Sequence, residues 1–345
     1  MEKIQVAILD SGICKDHSYL KNNITKGISI YCKRGKICIS EDFQDVYGHG
    51  TACASVIKSE CNNVDFFIVK ILDSTGNSSL NIVESALEYL LNVDVQIISM
   101  SIAISNIRKC RRIDYLCERL RKQGKILVSS LENGKWKSMP ATLDSVIGVR
   151  GHILEEEGGF WYNNHKKIQL IVDNNPHLHC DLDGTYRMFG KNNSYAAARG
   201  AGIVAKYLLK RYFTEEELTV CLKNNAIRNV WTPFSFRESK RYPDFGKKEM
   251  INDPYILQTV IEVLMRYKQI SDINVLFTFP LYHNEIGVDE KECYQLIVEF
   301  EKIFKFQMAD YTKITRYDFF SIYRLAQLIE KNIKNGKGEY NESAI

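Results

Sequence analysis

Three polar residues in this chain are of the types that could act on one another in a reaction. Asp10 ends the apolar run IQVAIL in "LDSG", His49 sits between two glycines in "YGHGTACASVI", and Ser194 follows two asparagines in "NNSYAAARGAGIVAKYLLK". A hydroxyl, an imidazole and a carboxylate can work as an acyl-transfer relay. The hydroxyl attacks a carbonyl, the imidazole takes and returns the proton, and the carboxylate fixes the imidazole tautomer. Each residue also has a plain structural use. Asp beside Ser and Gly forms turns, a histidine between glycines suits a turn, and Ser is a favoured N-cap for a helix of small residues. The relay gains weight only if the surrounding elements bring the three together.

Those elements are legible as a repeating pattern. Residues 4–9, 65–72, 95–102 and 125–130 are short β-rich apolar runs and read as buried strands. Between the second and third, Leu80, Val83, Ala86, Leu87, Leu90 and Leu91 follow the helical period; between the third and fourth, Cys110, Ile113, Leu116, Cys117 and Leu120 do the same. Strands alternating with amphipathic helices predict a three-layer, doubly wound α/β fold with a parallel sheet. Active sites in such folds gather at the C-terminal ends of the strands. Asp10 lies at such an end.

After residue 221 the texture changes. Residues 222–252 are polar and irregular, with Pro233 and Pro243, and read as a linker or wrapping extension. From Pro254 only helical stripes remain: Ile256, Leu257, Val260, Ile261 and Leu264; then Leu296, Ile297, Phe300, Ile303 and Phe304; then Ile322, Leu325, Leu328, Ile329 and Ile333. They predict a small helical bundle over 253–335, after a first domain at 1–221 and before a disordered tail at 336–345.

Composition narrows the function classes. The 345 residues carry 46 Lys and Arg against 42 Asp and Glu, a net charge of +4 with the signs interspersed. That is no footprint for nucleic acid. No run approaches the ~20 apolar residues of a membrane span, and the N-terminus lacks the pattern of a signal peptide. The ten cysteines form no C-x-x-C pair. They read as reduced thiols in a cytoplasmic protein, neither a disulfide framework nor a zinc site.

The chain order Asp, His, Ser is the subtilisin order, and residues 1–220 resemble the subtilisin-like serine proteases. "VAILDSGICKDHSYL" is similar to the family's Asp segment, with His17 and Leu20 in place, and "GHGTACASVI" to its histidine segment. "VKILDSTGNSS", "VQIISMSIA" and "MPATLDSVIGV" resemble three further stretches. The resemblance implies Asp10, His49 and Ser194 as the catalytic triad. It also implies an oxyanion-hole Asn, which counting from Gly124 places at Asn133 and counting from the strand places at Glu132. Asn133 is the better donor, because an ionised carboxylate donates no hydrogen bond. The backbone N–H of Ser194 is the expected second donor. The strand Ser101, Ile102 and Ala103 is the expected substrate groove, pairing with an extended peptide.

Several departures from the family stand out. Asn192 and Asn193 replace Gly-Thr, Tyr195 replaces Met and Ala198 replaces Pro, while Ala103 and Ile104 stand where the family has glycines and imply a narrower cleft. The first strand begins at residue 4, so no N-terminal prodomain is expected. No cofactor is expected; calcium loops are common in the family, but none can be placed here. The C-terminal run "IGVDEKECYQLIVEFEKIFKFQM" faintly resembles acyl and peptidyl carrier proteins, with Glu290 where their serine would be. It implies a docking module that cannot carry phosphopantetheine at that position. The resulting expectation is an intracellular serine endopeptidase of narrow specificity that processes a precursor peptide in peptide natural-product maturation. The alternative is a catalytically silent, peptide-binding relative.

Overall fold

A computed structural model of the chain describes residues 3–104, 110–210, 214–237, 245 and 250–339. The chain opens with strand β1 (Ile4–Asp10), a hairpin of β2 (Ile24–Lys33) and β3 (Lys36–Ser40), helix α1 (His49–Glu60) and β4 (Val64–Lys70). There follow α2 (Leu80–Leu90), β5 (Ile97–Met100), α3 (Arg111–Lys122), β6 (Ile126–Ser130), β7 (Ile147–His152), β8 (Phe160–Tyr162) and β9 (Leu170–Asp173). These strands form one nine-stranded sheet in the order β3-β2-β4-β1-β5-β6-β7-β9-β8. Neighbours from β2 through β9 are parallel, as the alternating pattern predicts. The two edge strands, β3 and β8, are antiparallel.

Side chains alternate between the faces of a strand. On β1, Ala7 and Leu9 join a core built with Val83, Ala86, Leu87 and Leu90 of α2 and Ile113, Leu116 and Leu120 of α3. Asp10 lies on the opposite face, that of α1. The same face carries α4 (Asn193–Leu208), followed by α5 (Glu215–Asn225). Small residues let α4 approach the sheet and α1. A Cβ on Gly200 would come 3.0 Å from Leu170, and one on Gly202 would come 2.7 Å from the Glu60 Cβ and 2.9 Å from the Ile57 oxygen.

The chain forms two compact units, and their boundary differs from the expected one. The first comprises residues 1–175, 180–185 and 190–239; the second comprises 176–179, 186–189 and 240–345. The stretch 222–252 is therefore divided. Residues 222–225 complete α5. Ile227 N donates to Phe160 O at 3.0 Å and Tyr162 N to Arg228 O at 3.1 Å, so the chain then runs along β8. Residues 238–244 and 246–249 lie outside the described residues.

The second unit contains α6 (Pro254–Lys268), α7 (Asn274–Thr278), α8 (Glu292–Phe304) and α9 (Ile322–Glu339). The three helical stripes fall on α6, α8 and α9. Because α9 reaches Glu339, the expected tail from 336 begins as helix, and 340–345 lie outside the described residues. The unit also holds most of a ribbon that lies far away in sequence, β10 (His177–Cys180) and β11 (Tyr186–Phe189). Leu178 N donates to Ile314 O at 2.9 Å, Arg316 N to Pro176 O at 2.8 Å and Met188 N to Glu290 O at 2.8 Å. Residue 290, the carrier-serine position, thus offers its carbonyl to the ribbon. A chain stopped after Ser239 leaves these ribbon groups unpaired, at about 1 kcal/mol for each lost bond. It should melt several degrees lower than the full chain; an unchanged melting temperature in calorimetry would show that the ribbon needs no such support.

Candidate active site

The first half of the site is built where β1 ends and α1 begins. Asp10 is 1% exposed, and its carboxylate oxygens lie 2.7 and 2.9 Å from His49 Nδ1. Asp10 Oδ1 also accepts the Ser11 N–H at 2.8 Å, and Ser11 Oγ accepts the Gly50 N–H at 2.9 Å. The glycines of D-S-G and G-H-G serve close backbone approach. A Cβ on Gly50 would fall 2.2 Å from the Gly12 oxygen, and one on Gly12 would fall 2.5 Å from the Phe43 oxygen.

Burial disfavours the charged imidazole of His49, but the adjacent Asp10 carboxylate outweighs it and raises the His49 pKa well above its ordinary value. The Nδ1 hydrogen bond turns Nε2 to the side of the ring away from Asp10, and the side chain retains 18% exposure. Asp10, His49 and Cys53 also form a cluster of metal-capable atoms within 4.8 Å of one another. Cys53 Sγ lies 3.8 Å from His49 Nδ1 and 3.5 Å from Ser101 Oγ. Burial pushes the Cys53 thiol pKa up, which keeps it a neutral filler behind the ring.

Sequence reasoning missed Asp45, which shapes the turn before His49. Its carboxylate accepts the N–H groups of Tyr47, Gly48 and Thr51 at 2.9, 2.9 and 3.0 Å and the Thr51 hydroxyl at 2.6 Å. Burial alone would raise its pKa, but these donors win and lower it. The signal available in sequence was an Asp three residues before a glycine that takes positive φ; Gly48 has φ 90°. His17 is a structural match rather than a reactive one. It is buried, its Nε2 donates to Thr185 O at 2.9 Å, its Nδ1 accepts the Tyr19 N–H at 3.2 Å, and burial lowers its pKa.

Ser194, half-buried, is the second residue of α4. Both asparagines before it are used in holding the helix start. Asn192 is the N-cap, its Oδ1 accepting the Tyr195 N–H at 2.7 Å. Asn193 turns its side chain inward: Oδ1 accepts the Gly151 N–H and Nδ2 donates to Leu131 O, each at 2.9 Å. Asn193 therefore ties the start of α4 to the ends of β6 and β7. Asn133 Oδ1 accepts the Asn193 N–H at 2.9 Å, which fixes the Asn133 amide by its oxygen and leaves its NH2 available. The backbone N–H of Glu132, the other candidate, donates to Ser138 Oγ at 2.9 Å. Among the described residues, the Ser194 N–H has no acceptor, whereas its neighbours at 193, 195 and 196 all do.

The two helices share one end of the sheet. Asp10 at the end of β1 meets His49, and Leu131, just after β6, meets Asn193. Gly202, eight residues past Ser194, meets Ile57, eight past His49. Arg199, itself buried, donates from Nε to half-buried Glu60 Oε1 at 2.6 Å and from Nη1 to the buried Asp173 carbonyl at 2.8 Å. Between β1 and β6, the segment after β5 leaves the sheet with Ser101 half-buried, Ile102 buried and Ala103 exposed. Ile104 closes it by exchanging two bonds with Met139, at 2.8 and 3.0 Å. The loop bearing Asn133 is braced from outside the helices. The Arg150 guanidinium lies 4.6 Å from the Trp136 ring centre and 4.2 Å from that of Phe236.

Two outcomes follow for His49 and Asn193. An NMR titration of His49 should show a midpoint above about 6.5, the ordinary histidine value. Asp10→Asn should bring it down, because burial then acts without the opposing charge; a native midpoint below 6.5 would contradict this electrostatic account. Asn193→Ala removes two buried side-chain bonds and should cost about 1–3 kcal/mol of stability, read by urea unfolding.

Comparison with known proteins places this geometry. The chain is 26% identical over 250 residues to the intracellular serine protease of Paenibacillus polymyxa, covering 65% of this chain and 74% of that protein. It is 29% identical over 156 residues to a thermostable alkaline protease of Halalkalibacterium halodurans, covering 42% of this chain and 40% of that one. Over 108 residues it is 28% identical to subtilisin E of Bacillus subtilis, covering 29% of this chain and 26% of that one. A cold-adapted subtilisin-like serine proteinase superposes with a TM-score of 0.53 at 18% identity, over 65% of this chain and 84% of that one, a likeness of fold. The subtilase family (Peptidase S8) matches residues 2–250, and the chain belongs to it.

Proposed function

We propose that the chain is a subtilisin-like serine endopeptidase in which Asp10, His49 and Ser194 form the triad. The observation that carries this reading is the Asp10–His49 Nδ1 pair, at 2.7 Å, at the same end of the sheet as the helix start that bears Ser194. With Nδ1–H donated to Asp10, His49 Nε2 takes the proton of Ser194 Oγ as the oxygen attacks the scissile carbonyl carbon. The C=O bond opens to a tetrahedral oxyanion, which the Asn133 NH2 and the Ser194 N–H receive. The oxyanion then collapses, the C–N bond breaks, and His49 returns the proton to the departing amine. Water then gives a proton to the same imidazole as its oxygen attacks the acyl carbon; the bond to Ser194 Oγ breaks, the peptide leaves as a carboxylic acid, and His49 returns the proton to Ser194 Oγ.

We take the substrate to be a peptide laid in extended form along Ser101, Ile102 and Ala103. Ala103 and Ile104 in place of glycines support narrow specificity, and with it the processing of a precursor peptide. The ten cysteines form no disulfide, which supports a reducing, cytoplasmic setting. Among the described residues no helix is long and apolar enough to cross a membrane.

A fluorophosphonate probe should label the folded protein and fail to label Ser194→Ala. Absence of labelling in the native protein would favour the silent, peptide-binding alternative. Asn133→Ala should lower kcat by about 10²–10³ with KM little changed, since the lost donor acts on the transition state. Acid-side loss of kcat/KM should be centred above pH 6.5, because protonated His49 cannot accept the serine proton and its pKa is raised. A profile centred below that value would remove His49 from the role of base.

A further inference from the structure

The nine-stranded sheet is finished differently at its two edges. Along β8 the backbone groups of residues 227 and 228 supply an outer partner. Along β3, no backbone group among the described residues other than those of β2 pairs with the strand. The β2–β3 hairpin turns through Arg34 and Gly35, both with positive φ, 52° and 76°. This is a two-residue turn, in which the flanking pair, Lys33 and Lys36, exchanges hydrogen bonds. By alternation, Tyr31–Cys38 and Ser29–Ser40 are also hydrogen-bonded pairs. The N–H and C=O groups of Ile37 and Ile39 therefore point away from β2, where a further strand could take them.

The side chains support the same reading. Ile37 and Ile39 are 39% and 55% exposed. They lie opposite Cys32 and Ile30 and so share their face. Ile30 is buried against the α2 core, but the two β3 isoleucines remain uncovered. Strand edges that resist association carry inward charges, bulges or Pro. Between Lys36 and Ser40, β3 has only the terminal Lys36 and none of the other devices.

We propose that β3 pairs antiparallel with β3 of a second copy of this chain, about a two-fold axis at Cys38. The segment RGKICISED, residues 34–42, is self-complementary in that register. Ile37 faces Ile39 of the other copy and Ile39 faces its Ile37, gathering four isoleucines on one face. Each copy carries Arg34 and Lys36 at the start of β3 and Glu41 and Asp42 just past its end, so antiparallel pairing brings opposite charges together at both ends, although Asp42 also has Lys15 of its own chain at 3.8 Å. Other two-fold registers that respect the outward hydrogen-bonding groups fit less well. Centring on Ile39 sets Ile37 against Glu41, and centring on Ile37 sets Ile39 against Gly35. In the proposed register Cys38 meets its own counterpart at a non-hydrogen-bonded site. Cα atoms there are about 4.5 Å apart, within disulfide reach, so Cys38 can report the register.

The test uses the full chain. Sedimentation velocity should show a concentration-dependent monomer–dimer equilibrium, and Ile39→Lys should shift its midpoint at least tenfold toward monomer. Near-UV circular dichroism checks that the variant is folded, and Ile37→Lys provides a second variant. Mild copper–phenanthroline oxidation should give a cross-linked dimer with the native chain and with Cys32→Ser, and none with Cys38→Ser. A native chain that is monomeric throughout would overturn the proposal. So would a dimer that survives both lysine substitutions, or a cross-link that persists in Cys38→Ser.

Discussion

The close approach of α1 and α4 is the constraint on which the rest of the catalytic unit depends. The two helices meet through Gly202 against Ile57 and Glu60, and buried Arg199 joins Glu60 to Asp173. A larger residue at position 202 would push α4 outward along the line that keeps Ser194 at the His49 end. The arginine adds a second restraint. Removing one partner from a buried ion pair costs about 3–5 kcal/mol, because the charge left behind has no water around it. Arg199 follows Ser194 by five residues, and Glu60 ends the helix that His49 begins. Fold and site are therefore held by the same contact.

Much of this was legible in the sequence because it is local. The strand runs, the helical stripes of α2, α3, α6, α8 and α9, and the Asp, His and Ser segments each carry their signal within some fifteen residues. The departures at 192 and 193 could be seen but not interpreted, since their meaning lies in partners far along the chain. Asn193 binds Leu131 and Gly151, and Asn133 reaches Asn193 across sixty positions. The β2–β3 hairpin escaped notice because Lys and Gly interrupt its alternation, as in "ITKGISIYCKRGKICIS". The ribbon of β10 and β11 escaped because its partners stand more than a hundred residues later. Asp45 was passed over because an Asp in a turn is unremarkable until its four donors are counted.

The two asparagines also show how a departure from a family pattern can be built into the fold. Glycine at such a place gives room by having no side chain. Here Asn193 turns its side chain inward, with both ends of its amide bonded to neighbouring backbone, while the Asn192 oxygen caps the helix. The exchange replaces an absent group with a bonded one, and a bonded amide resists displacement more than an empty space resists filling. The same logic fixes the orientation of Asn133, whose oxygen is engaged and whose NH2 group is thereby directed.

The ribbon imposes an order on how the molecule is made. Its strands leave the ribosome well before Glu290, Thr312 and Ile314, the residues whose carbonyls receive them; His177 and Thr312 are separated by 135 positions. Domains generally fold as units as synthesis proceeds from the N-terminus. The ribbon interrupts the first unit just ahead of Gly190 and the helix bearing Ser194. During that interval the nascent chain holds a ribbon whose outer groups, Leu178 N, Pro176 O and Met188 N, are still without their partners. Late synthesis thus acts as a timer, delaying the finished surroundings of the ribbon until the C-terminal segments exist.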